Sequence, residues 1–420
     1  MPRPILPSLV GAVSAALLLL ATRPLAAQVE DLARRTDVAS ALTALRAENE
    51  WTLAQQQELC AIPAPPFGEG PRAADFRRRL ELLGLRALRF DSVGNVIAVR
   101  PGRTGGPRVM LAAHLDTVFP DSTEIRIGRE GSRMTGPGIG DNCRGLAVLL
   151  AVARQLRDAR IETQGPLVFV GTVGEEGQGN LRGVRHLFDR QSGGRIDYFV
   201  AVDGAGLSAT SSAVGSHRYR VTYRGPGGHS YGDFGSPNPV HALGRAIARI
   251  ADFVVPLRPR TTFSVGVLDG GTSVNSIAMS ASMDVDFRSE RQSALDQVDS
   301  LFRRALSDAL LAENTRWRRG ERLTVDIEEI GRRPAAQQAD SAVIVRTAAE
   351  AARVLGFTTP FTASSTDANY PMSLGIPAIT IDGGGRGGGS HSLDEWYDDG
   401  TDGWKGPQWA LLLVLALAQR

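Results

Sequence analysis

Seven side chains in this sequence are of the kinds that hold divalent metal ions and move protons beside them: His114, Asp116, Asp141, Glu175, Glu176, Asp203 and His391. The chain has only two cysteines, Cys60 and Cys143, too few for a thiolate site, so any metal must rest on imidazole and carboxylate. Such a donor set suits zinc, or cobalt or manganese, and it is large enough for two ions about 3.5–4 Å apart. His114 and Asp116 stand two apart after the apolar run 109–113, so on an extended chain they point to one side. A carboxylate there can fix the tautomer of a ligating imidazole. Asp141 closes the turn Gly136-Pro-Gly-Ile-Gly and opens an apolar helix, a place that fits a helix cap as well as a ligand. Glu175 and Glu176 are adjacent like charges past the buried run 167–173, and they repel unless a cation lies between them; a solvated turn is the plainer reading. Asp203 and His391 also follow strand-like runs.

The elements that would position these groups alternate. Short apolar runs at 95–99, 109–113, 167–173, 198–202 and 378–381 read as strands, and 145–156, 181–188 and 341–355 read as helices between them. That alternation predicts an α/β catalytic domain with a mostly parallel central sheet flanked by helices, whose ligands collect beyond the carboxyl ends of the strands. Residues 29–59 read as helical, and the apolar stretch 409–418 reads as a buried closing helix. From about residue 215 the texture changes. An alternating strand at 219–223, a helix at 240–253, a strand pair within 262–287, a helix at 295–311 and a strand at 323–327 give a βαββαβ order, expected for a two-layer sandwich. The predicted organisation is a catalytic domain of residues 28–214 and 332–420 with an inserted domain at 215–331.

A chain of 420 residues with a formal net charge of +2 can bury a large core and carries no charge surplus that would favour nucleic acid. Arg3, the apolar run 9–21 and the small residues up to Ala27 have the layout of an export signal over 1–27, with an uncleaved anchor as the other reading. An exported product would be periplasmic or secreted. Whether Cys60 and Cys143 pair is left open by the sequence.

The order Ala113-His-Leu-Asp-Thr-Val, Gly140-Asp141, Gly174-Glu-Glu-Gly, Val202-Asp-Gly and Ser390-His391 resembles the co-catalytic zinc peptidases and deacylases that include tripeptide aminopeptidase, bacterial glutamate carboxypeptidase and acetylornithine deacetylase. The resemblance spans nearly all of the chain after residue 27. It implies two zinc ions, one on His114 and Asp203, the other on Glu176 and His391, with Asp141 bridging both. It implies that Glu175 is the general base for a water acidified by the metals and that Asp116 orients His114. His229, in Gly225-Pro-Gly-Gly-His-Ser, resembles the residue by which a partner subunit stabilises the oxyanion, which implies a homodimer through the inserted domain. Asn275 and Arg288 resemble substrate-anchoring positions, although Asn275 also suits a turn and Arg288 a solvated strand.

The chain departs from this pattern after the bridging residue. Asn142-Cys143-Arg144 stands where the family commonly has a second acid and a lysine. His186, His217 and His241 have no motif support. The glycine run 383–389 fits a loop that folds closely over the metals, or a plain flexible loop. Short-peptide cleavage is the expected activity. N-acyl amino acid deacylation, glutamate-type carboxypeptidase action, and a non-catalytic binding protein on the same fold are the alternatives.

Overall fold

The computed structural model describes residues 24–103, 105–189, 194–317 and 319–419. The export signal expected over 1–27 therefore lies mostly outside the described residues; Leu25, Ala26 and Ala27 open the first helix, Leu25–Arg34. The apolar runs form the middle of one nine-stranded sheet. Its order is Arg86–Phe90, Val96–Arg100, Leu167–Thr172, Val109–His114, Tyr198–Val202, Ala378–Ile381, Ala209–Ala213 and Ala336–Gln337, with Phe361–Ser364 also paired to Ala209–Ala213. The four strands from Leu167–Thr172 to Ala378–Ile381 run parallel. Antiparallel strands flank them on both sides. This is a mixed α/β sheet with a parallel centre, and the central strands Val109–His114 and Leu167–Thr172 are buried on both faces, as parallel strands generally are.

Helices cover both faces. Cys143–Asp158, Val343–Val354 and Lys405–Ala418 pack on one side in the largest apolar cluster, where Trp409 and Leu411 to Leu413 are fully buried. Leu181, Val184, Leu187 and Met372 cover the other side. Burying each such side chain contributes about 1.5–3 kcal/mol. Among the described residues no helix is long and apolar enough to cross a membrane.

The helical segment 29–59 is not one helix but parts of three, Leu25–Arg34, Thr36–Ala47 and Asn49–Cys60. Arg35 breaks the first with ψ 134°. Asp37 rewards that break: its carboxylate pairs with Arg35 at 2.6 Å and accepts from the Val38 N–H at 2.9 Å, in the first turn where a negative charge is favoured.

Residues 215–333 build a second, four-stranded antiparallel sheet in the order Thr261–Gly270, Ser280–Ser289, Gly215–Arg224, Thr324–Arg333. Tyr219, Val221 and Tyr223 alternate with Arg218 and Arg220, and Met283, Val285 and Phe287 alternate with Asp284, Asp286 and Arg288. The apolar set packs under the helices Pro239–Ala251 and Gln292–Arg316, with Phe302 stacked 5.2 Å from Tyr219. Period-two alternation thus leaves Arg218, Asp286 and Arg288 together on the opposite face. The last strand ends at Arg333, and the chain re-enters the large sheet at Ala336–Gln337.

Candidate metal centre

The parallel strands deliver their side chains to one edge. His114 is the last residue of Val109–His114 and pairs in register with Thr172, three residues before Glu175. Its Nδ1 lies 3.0 Å from the carbonyl oxygen of Asp116. A carbonyl only accepts, so Nδ1 carries the hydrogen and Nε2 is left as a lone pair. The carboxylate of Asp116 stands farther off, 3.7 Å from Nδ1. It accepts instead from the backbone N–H groups of Glu175 at 3.0 Å and Glu176 at 2.8 Å. Asp116 thus fixes the imidazole with its main chain and the two glutamates with its side chain.

The helix Cys143–Asp158 is capped by Asn142, not by Asp141. Asn142 Oδ1 accepts from Gly145 N at 2.9 Å, and its Nδ2 donates to Val202 O at 2.8 Å. The Asp141 carboxylate is therefore free of capping, and the Asp141–Asn142 peptide is cis. Arg144, the other departure from the family pattern, is buried and donates to Gly383 O at 2.7 Å and Gly403 O at 2.6 Å, tying down the glycine run. That run is ordered: residues Arg386–Gly388 form a strand against Trp396–Asp398. At Gly384 a Cβ would meet Gly403 O at 2.2 Å, so only glycine fits this close approach. Cys143 is disulfide-bonded to Cys60, which joins the helix Asn49–Cys60 to this helix two residues past Asp141.

Two clusters of ligand atoms share Asp141. One is His114, Asp141 and Asp203; the other is Asp141, Glu176 and His391. Asp141 Oδ1 lies 3.0 Å from His114 Nε2, and its Oδ2 lies 3.4 Å from His391 Nε2. His114 Nε2 is also 3.5 Å from Asp203 Oδ1, and His391 Nε2 is 3.1 Å from Glu176 Oε1. Nε2 of His114 is buried and has no hydrogen-bond partner. A buried lone pair aimed at carboxylate oxygens is repelled unless a cation sits between them. The donor set therefore fits two divalent ions with Asp141 between.

Without such ions, protons take their place. Burial alone would discharge His114, but Asp203, Asp116 and Asp141 outweigh it and hold its pKa well above the imidazole range. Hydrogen bonds to Asp141 and Glu176 raise His391 to about 10. Burial opposes ionisation of Asp141, yet the two imidazoles override it and keep its carboxyl far below the usual range.

Glu175 faces the same space from the other side. Burial pushes its carboxyl well above the carboxylate range, Arg333 opposes that rise, and Glu176 adds to it. Arg333 Nη1 donates to Glu175 Oε1 at 2.8 Å and to Ser365 Oγ at 3.0 Å, and Nη2 donates to the Glu175 carbonyl. A cleft of about 1020 Å³ opens over the cluster, lined by Glu175, Asp203 and His391 on the sheet side and by Arg218 and Arg288 from the second domain. Both arginines donate to Asp286, Arg218 at 2.9 Å and Arg288 at 2.8 Å.

Residues 110–406 match the model of peptidase family M20/M25/M40. The chain belongs to that family. A succinyl-diaminopimelate desuccinylase from Corynebacterium glutamicum is 30% identical over 243 residues, which cover 55% of this chain and 64% of that enzyme. The chain thus matches less than two thirds of that relative's length. Aminopeptidase PepT from Bacillus cereus has the same fold, with a TM-score of 0.71 at 20% identity over 88% of this chain and 99% of that one. So has the YXEP protein of Bacillus subtilis, described as a dinuclear metal binding peptidase from the M20 family, with a TM-score of 0.63 at 19% identity over 90% and 100% of the two chains.

In this M20/M25/M40 chain the expected ligands His114, Asp141, Glu176, Asp203 and His391 come together, with Glu175 and Asp116 beside them. Arg288 lines the cleft. His229 and Asn275 do not line it. His229 pairs instead with Ser276 on a small ribbon, beside which Ser230 N donates to Asn275 O at 2.9 Å, and both His229 and Asn275 are exposed. His229 Nδ1 accepts from the Tyr231 and Gly232 N–H groups, each at 3.2 Å, so its hydrogen sits on Nε2. Arg333, Arg218 and Glu395 are site residues that the sequence did not single out. Only Glu395 left a local signal there, as an acid four residues after His391.

Proposed function

We propose that this chain is an exported two-metal amide hydrolase acting on short peptides. The observation that carries the reading is the placement of Asp141, whose two oxygens face His114 on one side and His391 on the other. Two divalent ions held by these residues, zinc first among them, would polarise a substrate carbonyl and acidify a water. Arg333 holds Oε1 of Glu175, so Oε2 is the atom left to take the water's proton and return it to the leaving amine. Asp116 keeps Glu175 and Glu176 at a fixed height above the strands. Arg288 and Arg218 present cationic forks in the cleft for a substrate carboxylate. Export is supported by the 1–27 pattern and by the Cys60–Cys143 disulfide, a bond of oxidising compartments.

Deacylation of N-acyl amino acids is the second reading, favoured by the 30% identity to a desuccinylase. Purified protein assayed for metal content and for amine release from dipeptides, tripeptides and N-acyl amino acids separates the two. Release from peptides supports the first; release from acylated amino acids alone overturns it. Glu175→Gln should keep both metals and lose nearly all turnover, and unchanged turnover would remove the assigned base.

A homodimer is part of the proposal. His229 points an Nε2 hydrogen to solvent, and the edge strand Thr261–Gly270 leaves Val267 and Leu268 exposed, as is Val274 beyond it. A second copy would cover that edge and bring His229 to the cleft. Full activity from a protein that sediments as a monomer contradicts it.

A further inference from the structure

The turn that carries Asp141 has an unusual support. Glu395 is buried, and its carboxylate accepts three backbone N–H groups of that turn: Gly138 at 2.9 Å on Oε2, and Gly140 and Asp141 at 2.8 Å each on Oε1. Its carbonyl accepts a fourth, from Gly136 at 2.9 Å. Gly140 is pressed against it, since a Cβ there would sit 3.2 Å from Oε1.

Glu395 is also tied to His391. Ser392 N donates to Gly389 O at 3.0 Å and Glu395 N to Ser392 O at 3.2 Å, so the segment turns tightly between the imidazole and the buried carboxylate. Immediately afterwards Trp396–Asp398 pairs with Arg133–Thr135 and with Arg386–Gly388. His391 itself is half-exposed, has φ 67°, and lies on no strand or helix. Its position relative to Asp141 is therefore transmitted through Glu395.

We propose that Glu395 is a positioning residue that joins the Asp141 turn to the His391 loop and thereby sets the affinity of the metal site made by Asp141, Glu176 and His391. The inference rests on the two-metal reading above. Glu395 touches neither metal ligand's side chain; it acts on the backbone of one and on the loop of the other. The site made by His114, Asp141 and Asp203 shares only Asp141 with this support, and His114 and Asp203 sit at the ends of strands. Loss of Glu395 should therefore weaken one site far more than its neighbour.

The test is zinc titration of the full-length protein after EDTA treatment, by equilibrium dialysis, with melting curves recorded with and without zinc. The wild type should hold two zinc ions per chain. Glu395→Gln keeps an oxygen for Gly140 and Asp141 but turns an amide against the Gly138 N–H, and its second zinc should bind about 10–100-fold more weakly. Glu395→Ala should retain one zinc at the same free concentration. In both variants the gain in melting temperature on adding zinc should shrink. Two zincs bound by Glu395→Gln at wild-type affinity would overturn the proposal, whether or not the alanine variant folds. So would an unchanged zinc-dependent gain on top of a lower metal-free melting temperature, the mark of a merely structural role. If the wild type binds at most one zinc, the two-metal reading itself fails, and this proposal with it.

Discussion

Arg333 donates to Glu175 Oε1 at 2.8 Å, and it does so from the last residue of the second domain's sheet, so that one domain's edge grips the other domain's candidate base. Both side chains are about nineteen-twentieths buried. Breaking such a pair leaves a buried charge alone and costs about 3–5 kcal/mol. Arg333→Met should therefore lower stability in urea unfolding. Because Arg333 holds the Glu175 pKa down, its removal lets that pKa rise. The acidic limb of the kcat/KM profile should then move to higher pH, with kcat reduced more than KM is changed. A limb that stays in place would show that Glu175 is not the group that titrates.

Metal and proton compete for the same lone pairs. With the metal-free His391 raised to about 10 and His114 raised well above its ordinary value, both imidazoles are protonated at neutral pH. Each folded pKa exceeds the unfolded one, so this stabilisation is full below about 6.5 and disappears as pH rises through the folded values. Metal-free protein should thus lose melting temperature between about pH 6.5 and pH 10, and metal-loaded protein should not follow that decline. Binding at pH 7 should release protons, seen as a dependence of the calorimetric heat on buffer ionisation enthalpy.

The Cys60–Cys143 bond closes a loop with a sequence separation of 83 residues. In the chain-entropy view a loop of that size contributes roughly 4.5 kcal/mol through the unfolded state. Replacing both cysteines by serine should lower the urea midpoint accordingly. Because Cys143 follows Asn142 and Asp141, the same variant, or reductant added to the wild type, should also weaken zinc binding. A loss of stability with zinc affinity intact would separate the bond from the metal centre.

Asn142→Ala removes the cap from Cys143–Asp158 and leaves Val202 O without its donor. Loss of a cap costs about 1 kcal/mol. Asn142→Asp keeps the acceptor for Gly145 but not the donor for Val202, so it should fall between the two in thermal melting.

Much of the centre was legible because its ligands follow strands. The runs 109–113, 167–173 and 198–202 are almost wholly apolar, and in a parallel sheet their ends must share an edge; His114, Glu175, Glu176 and Asp203 inherit their proximity from that. Two sequence readings of Asp141, cap and ligand, were separated only by Asn142, whose side chain took the cap. Arg333 was not legible. It stands among other arginines at the end of a polar strand, and its partner lies 158 positions away. The disulfide was hidden for the same reason, since nothing local aims Cys60 at Cys143. The break at Arg35 was missed because helical periodicity continues through it, and the Arg35–Asp37 pair that favours it gives only a short-range signal.

The second domain is interposed between Asp203 and His391, so a growing chain supplies His114, Asp141, Glu176 and Asp203 long before His391 exists. A nascent chain can assemble one half of the centre early, and the other half only after the 119 residues from 215 to 333 and the helices and strands that lead on to His391 have been synthesised. Occupancy of the second half would then report a finished product, and a prematurely released fragment would carry at most a single ion.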